Sequence, residues 1–220
     1  MKFTENEIRN AMLLYAITDR SWLKEGESLA GVCENVLKNG ATFLQIREKD
    51  LDGDAFEKEA GELKELCGRY HVPFVVNDSV EIAMDIGADG VHVGQSDIRG
   101  RDIRAMIGPD KILGISAGTV EEARAAENAG ADYIGVGAVF GTSTKKDARN
   151  LTIEKLQEIS GSVSIPVVAI GGINRGNVKE LKGSGVDGIA VISAIFAAED
   201  PGQAARELLE LSKETVSGNE

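Results

Sequence analysis

The stretch Ile86-Gly87-Ala88-Asp89-Gly90-Val91-His92-Val93 decides how this chain is read. A glycine stop is followed at once by a short apolar run. The pattern recurs as Ala129-Gly130-Ala131-Asp132-Tyr133-Ile134-Gly135-Val136 and as Ser184-Gly185-Val186-Asp187-Gly188-Ile189-Ala190-Val191, with a shorter form at Asn39-Gly40-Ala41. Glycine enters the left-handed region that ends a helix without a Cβ penalty. A Val/Ile-rich run of this length suits a strand covered on both faces. Each copy therefore marks a junction from helix to strand.

Working outward from these junctions, strands are predicted at Met12–Thr18, Thr42–Arg47, Phe74–Val76, Gly90–Val93, Ile112–Ser116, Tyr133–Val136, Val167–Ile170 and Ile189–Ile192. Between them, Leu29–Lys38, Phe56–Tyr70, Val120–Ala129 and Val178–Gly183 space apolar residues by three and four, the period of an amphipathic helix. Strands alternating with helices over 220 residues predict an α/β chain folded as one TIM (β/α)8 barrel domain spanning 1–220. A doubly wound open sheet has the same periodicity, but no G-x-G-x-x-G follows the first strand, so its dinucleotide-binding version is not expected. The polar tail 212–220 is predicted to fray.

Composition narrows the function. The net charge of −12 argues against a general nucleic-acid binder, because phosphate backbones select basic faces. No apolar run approaches the roughly 18–20 residues of a membrane span, and Met1–Asn10 has no apolar signal core. Cys33 and Cys67 are too far apart for a C-x-x-C motif and read as reduced thiols of a cytoplasmic protein. The helix faces mix apolar and charged residues and carry no signature of oligomeric state.

In such a barrel the chemistry sits where the strands end. Gln45, Arg47 and Lys49 alternate, so they share one face of a strand and its extension. They form either a cationic mouth for an anion or a solvated charge run. Arg grips phosphate as a fork and Lys as a point charge, and Lys145 and Lys146 follow the sixth strand. Asp78 and Asp97 follow neighbouring strands; they are either carboxylates for Mg²⁺ shared with a phosphorylated ligand or helix N-caps. Zinc is not expected, since no His- or Cys-rich cluster occurs. His92 reads as packed beside its strand and His71 as a surface loop residue. Gly171-Gly172 and Ser193 follow the seventh and eighth strands, where backbone N–H groups of barrels cradle a phosphate; the alternative is glycines serving tight turns. Thr142 and Thr144 add hydroxyls at a loop entrance.

Tyr15-Ala16-Ile17-Thr18-Asp19, Gln45-Ile46-Arg47-Glu48-Lys49, Val76-Asn77-Asp78, His92-Val93-Gly94-Gln95-x-Asp97, Thr142-x-Thr144-Lys145-Lys146, Ile170-Gly171-Gly172-Ile173 and Ile192-Ser193-Ala194-Ile195 together resemble the thiamine-phosphate synthase family, in the same order, from about residue 12 to 200. The resemblance implies a TIM barrel that condenses 4-amino-2-methyl-5-pyrimidinylmethyl diphosphate with a thiazole phosphate, plain or carboxylated. The products are thiamine monophosphate and pyrophosphate, reached by a dissociative, Mg²⁺-assisted substitution. It implies that Gln45, Arg47, Lys49 and Asn77 contact the pyrimidine diphosphate, with Ile46 and Glu48 in the same binding stretch. Ser116 and Lys145 would hold the diphosphate, making Arg47, Lys49, Lys145 and Ser116 the catalytic set. Asp78 and Asp97 would bind Mg²⁺. Thr142 and Thr144, with Ser143 between them, would meet the thiazole substrate, and Gly172, Ile192 and Ser193 would bind its phosphate through backbone N–H groups.

Two departures stand out. Ala138 and Gly141 occupy positions where the family usually has proline, which implies that the Thr142-x-Thr144-Lys145 loop they precede is more mobile in the open state. The rival readings are a related thiazole tautomerase, an inactive ligand-binding barrel, and a Schiff-base aldolase using Lys49 or Lys145. The tautomerase needs no diphosphate–Mg²⁺ site, yet every residue of that site is present here.

Overall fold

A computed structural model of the chain describes residues 3–49, 51–96, 100–141 and 151–216. Eight parallel strands close in chain order into a barrel: β1 (Leu14–Ile17), β2 (Phe43–Ile46), β3 (Phe74–Asn77), β4 (Gly90–Val93), β5 (Ile112–Ala117), β6 (Tyr133–Gly137), β7 (Val167–Ile170) and β8 (Gly188–Val191). Each predicted strand is found, and β8 pairs back onto β1 through Tyr15 and Ala190. Closure excludes the open-sheet alternative. Around the barrel lie α1 (Glu5–Ala11), α2 (Leu29–Lys38), α3 (Gly53–Tyr70), α4 (Val80–Asp85), α5 (Ile103–Ile107), α6 (Val120–Asn128), α7 (Ile153–Ser160), α8 (Ser193–Phe196) and α9 (Pro201–Val216).

The strands read as continuous apolar runs because both faces are covered. Tyr15, Ile17, Phe43, Val75, Ile112, Tyr133, Val168 and Ala190 fill the barrel interior. Their alternates, such as Leu14, Ala16, Leu44, Ile46 and Val76, pack against the helices. Ile8, Ala11 and Met12 join the interior cluster, so α1 closes the N-terminal end of the barrel. Arg9 holds that floor in place through Asp187, Nη1 to Oδ1 at 2.6 Å. The opposite end, where the strand C-termini emerge, carries the site.

The repeated Gly-x-Asp junction has a second purpose. Gly87 and Gly130 take φ values of 65° and 81° and end their helices as expected. The aspartate that follows then fastens the start of the preceding strand. Asp89 Oδ2 accepts the N–H of Phe74 at 2.9 Å, Asp132 Oδ2 that of Leu113 at 2.7 Å and Asp187 Oδ2 that of Val167 at 2.8 Å. The stop is therefore also a register clamp on β3, β5 and β7.

Two local expectations are corrected, and one helix was not anticipated. Between β7 and β8 the chain makes a 3-10 turn, Val178–Leu181, in place of an α-helix through Gly183. The bonds run back three residues, from Glu180 N to Asn177 O at 2.9 Å and from Lys182 N to Lys179 O at 3.3 Å. Asn177 gives no side-chain cap and Gly183 turns the chain at φ 80°, so the run is too short for α geometry. The predicted fraying from residue 212 does not hold as far as Val216, where α9 ends. Ser212 and Thr215 are buried, their hydroxyls donating to Leu13 O at 2.6 Å and Leu211 O at 2.7 Å. Finally, the polar start contains α1, capped reciprocally by Thr4 and Glu7. The Thr4-x-x-Glu7 spacing was its visible signal.

Candidate active site

The end of β2 is drawn out of the barrel by an extension of its pairing with β1. Thr18, fully buried, donates its N–H to Gln45 O at 2.9 Å and accepts the N–H of Arg47 on its hydroxyl at 2.9 Å. Gln45 is buried inside the barrel, Arg47 is half-buried at the mouth and Lys49 is exposed beyond it. Arg9, Arg20 and Arg104 all face carboxylates. Among the described residues Arg47 and Lys49 face none, so both cations are available to a ligand.

Between these residues the alternation turns the other side chains away. Ile46 packs in the layer between barrel and helices, leaving its backbone for any ligand contact. The Glu48 carboxylate, its side chain 1% exposed, accepts from Arg20 Nε at 2.9 Å. Arg20 also reaches Glu59 at 2.7 Å, tying the loop after β1 to the end of β2 and to α3. Burial pushes the Glu48 carboxyl above its ordinary value against the pull of Arg20, and among the described residues its second oxygen shows no hydrogen bond of good geometry.

At the end of β3, Asn77 Nδ2 donates to Asp78 Oδ2 at 2.6 Å. Asp78 takes φ 63°, a conformation aspartate tolerates better than most residues, and its N–H donates to His92 O at 2.8 Å. The cap of α4 is Ser79, whose hydroxyl accepts from Ile82 N. Asp78 is therefore not that cap, and its exposed carboxylate sits at the mouth. Asp97, Thr142, Ser143, Thr144, Lys145 and Lys146 lie outside the described residues.

The ends of β6 and β7 run together. Val139 N donates to Ile170 O and Phe140 N to Gly171 O, each at 3.0 Å, and Leu151 N donates to Ala138 O at 2.7 Å. The stem of the loop before Thr142 is thus held as far as Phe140, despite the missing prolines. A Cβ on Gly171 would meet Ala138 Cα at 2.5 Å, and one on Gly172 would meet Gly141 O at 2.1 Å. Close approach of two loops therefore requires these glycines. Beyond β8, α8 starts at exposed Ser193, after Ile192, without a side-chain cap. The other α-helices are capped by Thr4, Ser28, Asp52, Ser79, Asp102, Thr119, Thr152 and, for α9, Asp200. The free N–H groups of α8 suit an anion.

The barrel interior holds polar residues that the sequence reading passed over. His92 is not simply packed beside its strand: it faces inward, its ring nitrogens 2.9 Å from Tyr133 Oη and 3.0 Å from Ser116 Oγ. Gln95 Nε2 donates to Ser116 O at 2.7 Å. The signal was glycine within strands. Gly114 and Gly135 leave space where a Cβ would strike the rings of Tyr133 and His92.

A family profile described as thiamine monophosphate synthase matches residues 14–195. The chain belongs to this family. It is 48% identical over 195 residues to the thiamine-phosphate synthase of Clostridium tetani, covering 89% of this chain and 93% of the relative. It is 50% identical over 188 residues to that of Clostridium novyi, covering 85% and 92%. Among solved structures, a thiamine phosphate pyrophosphorylase from Pyrococcus furiosus superposes with a TM-score of 0.86 at 41% identity, covering 95% of this chain and 99% of that one. Both clusters at the mouth, the Arg47–Asp78 side and the β7–α8 side, fall within the span matched by the thiamine monophosphate synthase profile.

Proposed function

We propose that the protein is a thiamine-phosphate synthase, a transferase that couples a pyrimidinylmethyl diphosphate to a thiazole phosphate. The observation that carries this reading is the pairing of two anion-suited regions at one end of one barrel. Among the described residues Arg47 and Lys49 have no carboxylate partner on one side, and α8 has an uncapped start on the other. Two phosphorylated substrates need two such regions.

The C–O bond to the diphosphate breaks first, its electron pair leaving with pyrophosphate. The pyrimidine-methyl cation is then captured by the lone pair of the thiazole nitrogen, giving thiamine monophosphate; the carboxylated thiazole also loses CO₂. Neither bond change needs a general base. The protein's part is to align the partners and to stabilise departing negative charge. Arg47 and Lys49 would take up that charge, and Asn77 would hold both the substrate and the Asp78 carboxylate. Lys145 would hold the diphosphate together with Ser116, and Thr142, Ser143 and Thr144 would meet the thiazole substrate. Backbone N–H groups of Gly172, Ile192 and Ser193 would hold the thiazole phosphate.

Asp78 fits a magnesium site: its carboxylate is exposed at a strand end, steadied by Asn77 and not engaged in the α4 cap. Asp97 would be the second carboxylate, and the bound ion would neutralise charge on the diphosphate. No helix among the described residues is long and apolar enough to cross a membrane. A cytoplasmic setting goes with this reading, in which Cys33 and Cys67 stay as buried free thiols.

The test is a coupling assay with both substrates, in Mg²⁺ or in excess chelator, following thiamine phosphate by its oxidation to fluorescent thiochrome. Mg²⁺-dependent product is expected. Folded protein that makes none, but interconverts tautomers of the carboxythiazole phosphate, overturns the reading in favour of the tautomerase.

A further inference from the structure

A chain of hydrogen bonds runs through the barrel interior and surfaces at the mouth. Gln45 Nε2 lies 2.6 Å from Tyr15 Oη, and Tyr15 Oη lies 2.7 Å from Tyr133 Oη. Tyr133 Oη is 2.9 Å from His92 Nδ1, and His92 Nε2 is 3.0 Å from Ser116 Oγ. Gln45, Tyr15 and Tyr133 are at most 2% exposed. A Cβ on Gly114 would lie 2.2 Å from the Tyr133 ring, and one on Gly135 3.3 Å from the His92 ring. The strands are thus cut back to glycine where the chain passes.

Counting hydrogens gives the chain a direction. Burial pushes both phenols up, so Tyr15 and Tyr133 each keep one hydrogen. Gln45 Nε2–H donates to Tyr15, so the hydrogen of Tyr15 goes to Tyr133. The hydrogen of Tyr133 then goes to His92 Nδ1. An Nδ1 that accepts carries no hydrogen, which places the ring hydrogen on Nε2, facing Ser116 Oγ. Ser116 accepts there, which leaves its own hydrogen for the mouth.

We propose that this one-way relay fixes the His92 tautomer and makes the Ser116 hydroxyl a donor toward the bound ligand, with Tyr133 as the positioning residue. The role given to Ser116 rests on the reading of the mouth as the site of an anionic diphosphate substrate; the relay itself does not. A reversed relay would turn Gln45 Oε1 to Tyr15 and present a Ser116 lone pair to the ligand. A lone pair repels an anion where an O–H attracts it. The relay therefore sets the polarity of one edge of the site from a residue that never reaches the mouth.

The chain has two histidines, and exposed His71 at the end of α3 serves as an internal reference. In ¹⁵N-histidine-labelled protein above pH 8, the His92 ring should show a single Nε2–H tautomer. Tyr133→Phe removes the donor to Nδ1 and should give averaged ring shifts. It should also lower kcat by about tenfold, the order of one lost hydrogen bond, with a smaller change in KM. Gln45→Glu replaces the donor with an acceptor and should move the hydrogen to Nδ1. An Nδ1–H tautomer in the unmodified protein overturns the proposal, as does a tautomer unchanged in both folded variants. The spectra need no substrate. Expected spectra with no coupling activity would sink the proposed function and leave the relay standing.

Discussion

Asp132 Oδ2 accepts the backbone N–H of Leu113 at 2.7 Å while the Asp132 N–H donates to Leu113 O at 2.8 Å. The same carboxylate receives Arg104 Nη2 at 2.5 Å. Asp132→Ala leaves the N–H at the start of β5 without its acceptor. A hydrogen bond to a charged group contributes about 1.5–3 kcal/mol, so the free energy of unfolding measured in urea should fall by that order. Coupling activity well below the transition should be retained, because the clamp lies at the closed end of the barrel. Asp132→Asn keeps an acceptor and should lose less.

That clamp also shows what could be read from the chain and what could not. Helix stops and strands depend on local chemistry, on where glycine sits and how long the apolar runs are, so all eight strands and the caps at Gly87 and Gly130 were legible. The aspartate of each junction showed no role of its own, because its partner lies on another strand. The same holds for His92. Nothing in Val91-His92-Val93 says that Tyr133, 41 residues away, supplies its hydrogen-bond partner. Ser212 and Thr215 looked solvated for the same reason: polar residues are assigned to water unless their tertiary acceptors are known. At the mouth the residue types of Gln45, Arg47 and Asp78 were legible. That Glu48 turns away to Arg20 follows from alternation, but only once Gln45 is known to face inward.

Asp78 and Ser79 are adjacent and separable. Ser79→Ala removes the cap of α4 and should cost about 1 kcal/mol of stability without altering magnesium dependence. Asp78→Asn keeps the left-handed backbone, which asparagine tolerates, and removes the charge. It should lose activity roughly tenfold or more at ordinary Mg²⁺ and regain part of it at high Mg²⁺, with an unchanged melting temperature. Initial rates across a magnesium series distinguish the two. Equal magnesium profiles for Asp78→Asn and the unmodified protein would remove Asp78 from the metal site.

Arg47 should matter more for rate than for fold. Its backbone is held by Thr18, and among the described residues its guanidinium has no carboxylate partner whose ion pair truncation would break. Arg47→Ala should reduce kcat by about 10²–10³, as for removal of a donor to developing negative charge, and raise the KM for the pyrimidine diphosphate. Arg47→Lys should recover the charge but not the fork. Stability in urea should be unchanged in both.

Glu48 predicts a pH dependence. Its carboxyl is pushed above the ordinary value of 4.5, chiefly by burial, while Arg20 lowers it and Glu59 raises it. For an acid raised in the folded state, the native protein holds the proton more tightly than the unfolded chain. Stability from this group is then present at low pH and is lost as pH climbs from about 4.5 through the raised value. Glu48→Gln does not titrate. The stability of the unmodified protein relative to Glu48→Gln should therefore fall as pH rises through that window and level off above it. Urea titrations of both proteins at matched pH give the difference; a flat difference would mean that the carboxyl is not perturbed.

Ser193→Asp tests the other end of the site. Ser193 opens α8, whose N-terminus no side chain caps, and it is exposed. A carboxylate there is welcome to the helix itself, contributing about 0.3–1 kcal/mol through the dipole, so the melting temperature should hold or rise slightly. It is unwelcome to a second anion. Two like charges about 4 Å apart near a protein surface repel by about 4 kcal/mol before salt screening. The KM for the thiazole phosphate should therefore rise by about tenfold or more, while the KM for the pyrimidine diphosphate, bound across the mouth, should barely change. The split between the two substrates is the informative part. A variant that raised both equally would mean a distorted barrel end, and one that raised neither would mean that the thiazole phosphate binds away from α8.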